Sequence, residues 1–174
     1  MYDASFKIVV FGDHTDKKKH LMERFVHDIF RSDSKMVIGV EFKVKNVIVN
    51  NQKIALEVWG FGGEIRFRFL LPTYVRGARG GLFIFDITNY SSIAHIDDWL
   101  TIIKKEITEV DLFPIICVGL QSGDKDNREV SSEEGIKIAK SRGLDGYIEC
   151  DVETGENVDN AFKALTRLML KSEM

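Results

Sequence analysis

Three consecutive lysines, Lys17-Lys18-Lys19, with His20 beside them, follow a glycine, Gly12, that closes the apolar run Ile8-Val9-Val10-Phe11. Apolar residues at Leu21, Met22, Phe25, Val26 and Ile29 recur with helical spacing and place the lysines at the amino end of a helix. A helix dipole is positive there and disfavours each cation by about 0.3 to 1 kcal/mol. Two readings of this broken rule stand side by side. In one, the lysines hold an anion: a phosphate, a nucleotide phosphate without metal, or an acidic side chain of a partner. In the other, long lysine stems point into water and Asp13 and Asp16 offset their charge. Other chemistry is sparse. No cluster of His, Cys and acids has metal-ligand spacing, so no metal site is expected. Cys117 and Cys150 stand far apart in no paired motif. No local motif suggests a Ser/His/Asp arrangement. His14 is a lone imidazole, and His27 and His95 read as surface residues.

The elements that position these residues follow from periodicity. Ile8 to Phe11, Leu82 to Ile87 and Phe113 to Val118 are unalternating Val/Ile/Phe runs, as expected of parallel strands covered on both faces. Between them lie helical stripes: Leu21 to Ile29; Ile93, Ile96, Leu100, Ile103 and Ile107; and Val158, Ala161, Phe162, Leu165 and Met169. Ser131 and Glu134 form a capping box that opens another helix, ended by Gly143. Val40, Phe42 and Val44 alternate with charged residues, and Ile54, Leu56 and Val58 alternate after Asn50-Asn51, which predicts an antiparallel hairpin. A short strand spans Tyr147 to Cys150. Trp99, Met22 and Met169 fall on apolar stripes and read as core. With 174 residues, 44% hydrophobic and 29% charged, and no repeat or linker, one domain over residues 1–174 is expected. A charge of −3 with both signs interspersed argues against nucleic acid. The apolar runs are far below the ~18 to 20 residues of a membrane span. Without a secretory leader, a cytoplasmic location is expected.

Ligands of such a sheet bind at the carboxyl ends of its strands, and the loop text there carries a resemblance. Lys7-Ile-Val-Val-Phe-Gly-Asp13, Ile38-Gly-Val-Glu-Phe42, Trp59 through Glu64-Ile-Arg-Phe-Arg68 to Tyr74-Val-Arg-Gly-Ala78, Phe85-Asp-Ile-Thr88 and Thr154-Gly-Glu-Asn157 resemble the Ras superfamily of small G proteins, most closely its Rab branch. The resemblance implies a P-loop NTPase-like G domain: an α/β fold with a mixed six-stranded sheet, one antiparallel edge strand and about five helices.

It also implies a guanine-nucleotide switch, yet each signature differs. Aligned on Gly12, Lys17 stands at the second Walker glycine, Lys18 at the phosphate lysine and Lys19 at the Ser/Thr that ligates magnesium. An ammonium has only donors and repels the cation, so magnesium is not expected. Val37 replaces the first-switch threonine, and Gly60-Phe61-Gly62-Gly63-Glu64 replaces Asp-Thr-Ala-Gly-Gln. Glu64 is a weak candidate base toward water, against its reading as a solvated acid at a helix start. Leu120-Gln121-Ser122-Gly123 stand where N-K-x-D reads guanine, with Asp124 one residue late, and Asp151-Val152-Glu153 replace Ser-Ala-Lys. The expectation is a pseudo-GTPase with lost or weakened GTP binding and hydrolysis. The alternative is a nucleotide- or anion-binding protein taking GDP, GTP or phosphate on Gly12, Lys17, Lys18, Lys19 and Asp124.

Ile38, Phe42, Trp59 and Tyr74 match the face that Rab-like proteins present to effectors, which implies a protein partner at the switch and hairpin surface. Packing beneath the second switch is the competing reading, equally good for Tyr74. The sequence ends at Leu170-Lys-Ser-Glu-Met174 without a prenylation motif, so no lipid anchor is expected in it.

Overall fold

A computed structural model of the chain describes residues 1–13, 15–31, 39–107, 112–123 and 127–173. Ile38 and Asp124, like His14 and Val37, lie outside the described residues. In chain order the elements are β1 (Ala4–Phe11), α1 (Asp16–His27), β2 (Val40–Val49), β3 (Gln52–Phe61), a 3-10 helix (Ile65–Leu70), α2 (Leu71–Val75), β4 (Gly80–Asp86), α3 (Tyr90–Ala94), α4 (Ile96–Glu106), β5 (Ile115–Gln121), α5 (Ser132–Ser141), β6 (Gly146–Asp151) and α6 (Val158–Ser172). The stripe from Ile93 to Ile107 is divided into α3 and α4 at His95, and Ile29 falls beyond the end of α1.

The sheet runs β2-β3-β1-β4-β5-β6, with every pairing parallel except the hairpin β2-β3 at one edge. Asn50 and Asn51 both take positive φ, 53° and 62°, which a two-residue turn with the right twist requires. Ser131 Oγ accepts from the Glu134 amide at 3.1 Å, as the capping box predicts, while the Glu134 carboxylate takes the Ser131 hydroxyl.

Each face of the sheet has its own core. Ile8, Val10, Leu56, Val58, Leu82 and Ile84 meet α1 and α6 on one side, where Phe25 and Phe162 stack at 3.6 Å between centroids. Val9, Phe11, Phe83 and Phe85 meet Leu71, Trp99, Leu100 and Ile103 on the other. The second layer of helices does not reach the edge strand. Phe42, Val44 and Ile48, which share one side of β2, are 44%, 51% and 67% exposed, whereas Val47 and Val49 on its other side are buried. Among the described residues no helix is long and apolar enough to cross a membrane.

The Phe25–Phe162 stack joins the first helix to the last. Truncating a buried aromatic removes both transfer energy and packing, so Phe162→Ala is expected to lower stability by about 3 to 5 kcal/mol. Urea denaturation of the two proteins measures it.

Candidate functional site

The carboxyl ends of β1, β3 and β4 converge beneath the first turn of α1. Gly12, at the end of β1, has φ +141°, and a Cβ there would sit 2.2 Å from the Ile84 carbonyl oxygen, so only glycine fits. Thr15 caps the helix: its hydroxyl accepts from the Lys17 amide at 3.3 Å, and its carbonyl accepts from the Lys18 amide at 3.3 Å. Two amides that open the helix therefore have partners within the chain.

The lysines do not point into water. Lys17 is 8% exposed, and its ammonium donates at 2.9 Å to each Asp86 carboxylate oxygen and at 3.2 Å to Thr88 Oγ1. Lys18 is 3% exposed and donates to the carbonyls of Gly12, at 2.9 Å, and Phe61, at 2.6 Å. Lys19 pairs with Glu41 at 2.8 Å and lies 3.8 Å from Glu23. The reading in which the stems point into water is corrected accordingly, while the Asp13 part of the charge offset holds for Lys18. Burial of these stems makes charge compensation obligatory, and it comes from Asp86, Glu41 and main-chain carbonyls. Asp16 stays exposed. Asp13 and Glu64 act on Lys18 through their charge.

Asp13 instead turns toward α4. Its Oδ1 accepts from Trp99 Nε1 at 2.8 Å, its Oδ2 lies 2.5 Å from His95 Nδ1, and Arg68 of the 3-10 helix approaches Oδ1 at 3.6 Å. Trp99 is buried and His95 lies at the surface, as the sequence predicts, and both reach Asp13. Glu64 precedes the 3-10 helix and accepts from the Gly39 amide at 3.4 Å. At the far loop, Asp151 is buried and its Oδ1 accepts from the amides of Glu153 and Thr154, at 2.9 and 3.2 Å. Arg24 of α1 braces the same loop by donating to the Val152 carbonyl at 3.2 Å and to the Glu153 carbonyl.

The aromatic group is assembled as well. Phe42 lies directly across from Trp59 in the hairpin, with ring centroids 4.4 Å apart. Trp59 and Tyr74 are 5.0 Å apart, and Tyr74 meets the buried Phe61 at 5.4 Å. Lys7 sits 5.7 Å from the Trp59 ring centroid. Thus Phe42, Trp59 and Tyr74 form one row from the open edge of the sheet to α2. Asp86, Thr88, Glu41 and Arg68 were not legible as site residues, since nothing local ties Asp86 to a lysine 69 residues away.

Burial pushes the Lys18 ammonium down to about 7 from an ordinary 10.5, against the opposing charges of Asp13 and Glu64. A neutral amine still has two N–H groups for its two carbonyls. Since the folded value is the lower one, the unfolded chain holds more protons between about pH 7 and 10.5, and Lys18 makes stability rise with pH across that window. Below about 7 both states are charged and the burial penalty is complete. The stability difference between wild type and Lys18→Met should be flat below pH 6 and then shift in favour of wild type by at most ~1.4 kcal/mol per pH unit. Urea titrations at a series of pH values test this; a difference independent of pH shows that Lys18 stays charged.

Comparison with known proteins accords with this frame. The Ras family profile matches residues 7–171. The chain is 34% identical over 169 residues to the Ras-related protein Rab-18-B of Danio rerio, covering 97% of this chain and 81% of that one. It is 37% identical over 163 residues to the Ras-related protein RABA6b of Arabidopsis thaliana, covering 94% and 70%. It is 34% identical over 172 residues to the Ras-related protein Rab-13 of Canis lupus familiaris, covering 98% and 83%. With the sheet order, the glycine-closed first strand and this likeness along nearly its whole length, the chain belongs to the Ras family and is a Rab-like small GTPase by descent and fold.

Proposed function

We propose that this protein is a pseudo-GTPase, a Rab-like binding module that recognises a protein partner without running a magnesium-dependent GTP cycle. The observation that carries the reading is the buried Lys17–Asp86 pair, together with the engagement of Lys18 and Lys19 by the protein's own oxygens. The residues present do not fit magnesium nucleotide. Lys19 puts a cation bonded to Glu41 where a ligating hydroxyl is needed, Gly60 offers no carboxylate, and the Lys17 side chain bridges to Asp86 where glycine leaves room for phosphates. Gly123 stands where the guanine-reading carboxylate belongs, and Asp151 and Glu153 add negative charge to the loop that would support the base.

The row Phe42, Trp59 and Tyr74 supports the partner-binding side of the reading. Aromatic groups left partly open, with the exposed Val44 two residues along β2 from Phe42, are of the kind that carries interface hot spots.

The experiment that tests this is the nucleotide content of protein denatured after native purification. No guanine nucleotide is expected, and a stoichiometric yield of GDP or GTP overturns the reading. The competing anion-binding reading is tested in parallel. A ligand at a hundred times its Kd stabilises a fold by about 2.7 kcal/mol, so millimolar phosphate, GDP or GTP should leave the melting temperature unmoved. A rise that Lys18→Ala abolishes would instead favour an anion seated on the lysines.

A further inference from the structure

The 3-10 helix Ile65–Leu70 has no buried residue and no side-chain cap, and it carries Ile65 and Phe69 at 77% and 72% exposure. A segment without apolar anchorage is held by polar contacts or moves freely. We propose that Asp13 is the positioning residue for this segment: its carboxylate fixes the 3-10 helix to α4 and to the loop after β1, so that the adjoining aromatic face keeps one shape whether or not a nucleotide is present. The proposal rests on the partner-binding reading above and names how that face is regulated.

Three elements meet at Asp13. The loop supplies the carboxylate, α4 supplies the Trp99 indole N–H at 2.8 Å, and the 3-10 helix supplies the Arg68 guanidinium at 3.6 Å, with His95 at 2.5 Å where α3 and α4 join. An ionised carboxylate only accepts hydrogen bonds, so it can gather donors from all sides. The Arg68 guanidinium also lies 4.5 Å from the Trp99 ring centroid, so Asp13 and Trp99 form a two-sided seat for one cation. Arg68 Nε is buried with no hydrogen-bond partner among the described residues. Charge and the ring face therefore hold this side chain, and removal of the Asp13 charge releases it. Two further ties close the other end of the segment: Lys18 donates to the Phe61 carbonyl at 2.6 Å, and the Gly62 amide donates to the Gly39 carbonyl at 2.8 Å. Beyond the segment, buried Leu71 begins α2, which carries Tyr74 into its 5.0 Å contact with Trp59. In this arrangement side chains of the first loop restrain the 3-10 helix, and no γ-phosphate is required.

Hydrogen exchange of the full chain, read by mass spectrometry, tests the proposal with Asp13→Asn and, as a second variant, Arg68→Gln. Both variants should exchange residues 62–75 about tenfold faster than wild type, while β4 and β5 exchange as before. Wild-type exchange in 62–75 should be the same with and without millimolar GDP or a non-hydrolysable GTP analogue in the presence of magnesium. Unchanged exchange in both variants, acceleration spread equally over β4 and β5, or slowing of wild type by nucleotide overturns it. The nucleotide content of the purified protein is assayed separately. Bound GDP would overturn the pseudo-GTPase reading and leave the role of Asp13 standing if both variants still loosen 62–75.

Discussion

Two buried lysine amino groups beneath the first turn of α1 are the constraint that the site is built around. A cation removed from water costs several kcal/mol unless opposite charge or oxygen atoms surround it. Lys17 meets that demand with Asp86 at the end of β4, and Lys18 with the carbonyls that end β1 and β3. Three parallel strands thus have their carboxyl ends tied together by side chains of a single helix. The convergence that α/β sheets ordinarily offer to a ligand is here occupied by bonds internal to the chain.

Much of the fold was legible because it rests on local pattern. The runs around Ile8, Leu82 and Phe113 have the unalternating composition of strands covered twice, and the Asn50-Asn51 pair tolerates the positive φ of a tight turn. The site was half legible. Phe42, Trp59 and Tyr74 could be placed by resemblance, and the register of β2 on β3 brings the first two face to face. The state of the lysines could not be read. Their partners Asp86, Thr88 and Glu41 belong to other elements, and a run of lysines reads the same on paper whether water or carboxylates surround it. His95 and Trp99 show the same limit: one looked like surface and one like core, and both end on Asp13.

The two faces of the sheet divide the work. The side under α1 and α6 is closed, with the Phe25–Phe162 stack at its centre. The other side is closed only as far as β3, because α2 and α4 stop short of the edge strand and leave Phe42, Val44 and Ile48 in water. On the reading proposed here, that uncovered margin is the protein's working surface. Its polar supports come from the end of the sheet where relatives of the family would carry their ligand.

The Lys17–Asp86 pair also bears on how such a protein can change over generations. Substituting glycine at Lys17 alone removes the cation and leaves the Asp86 carboxylate in a buried position, where the loss of one partner of an ion pair commonly costs about 3 to 5 kcal/mol. The bonds that Asp86 accepts from Thr88, at 2.9 and 2.7 Å, soften that loss without cancelling its charge. A first step back toward an open phosphate loop therefore lowers stability before any ligand can compensate.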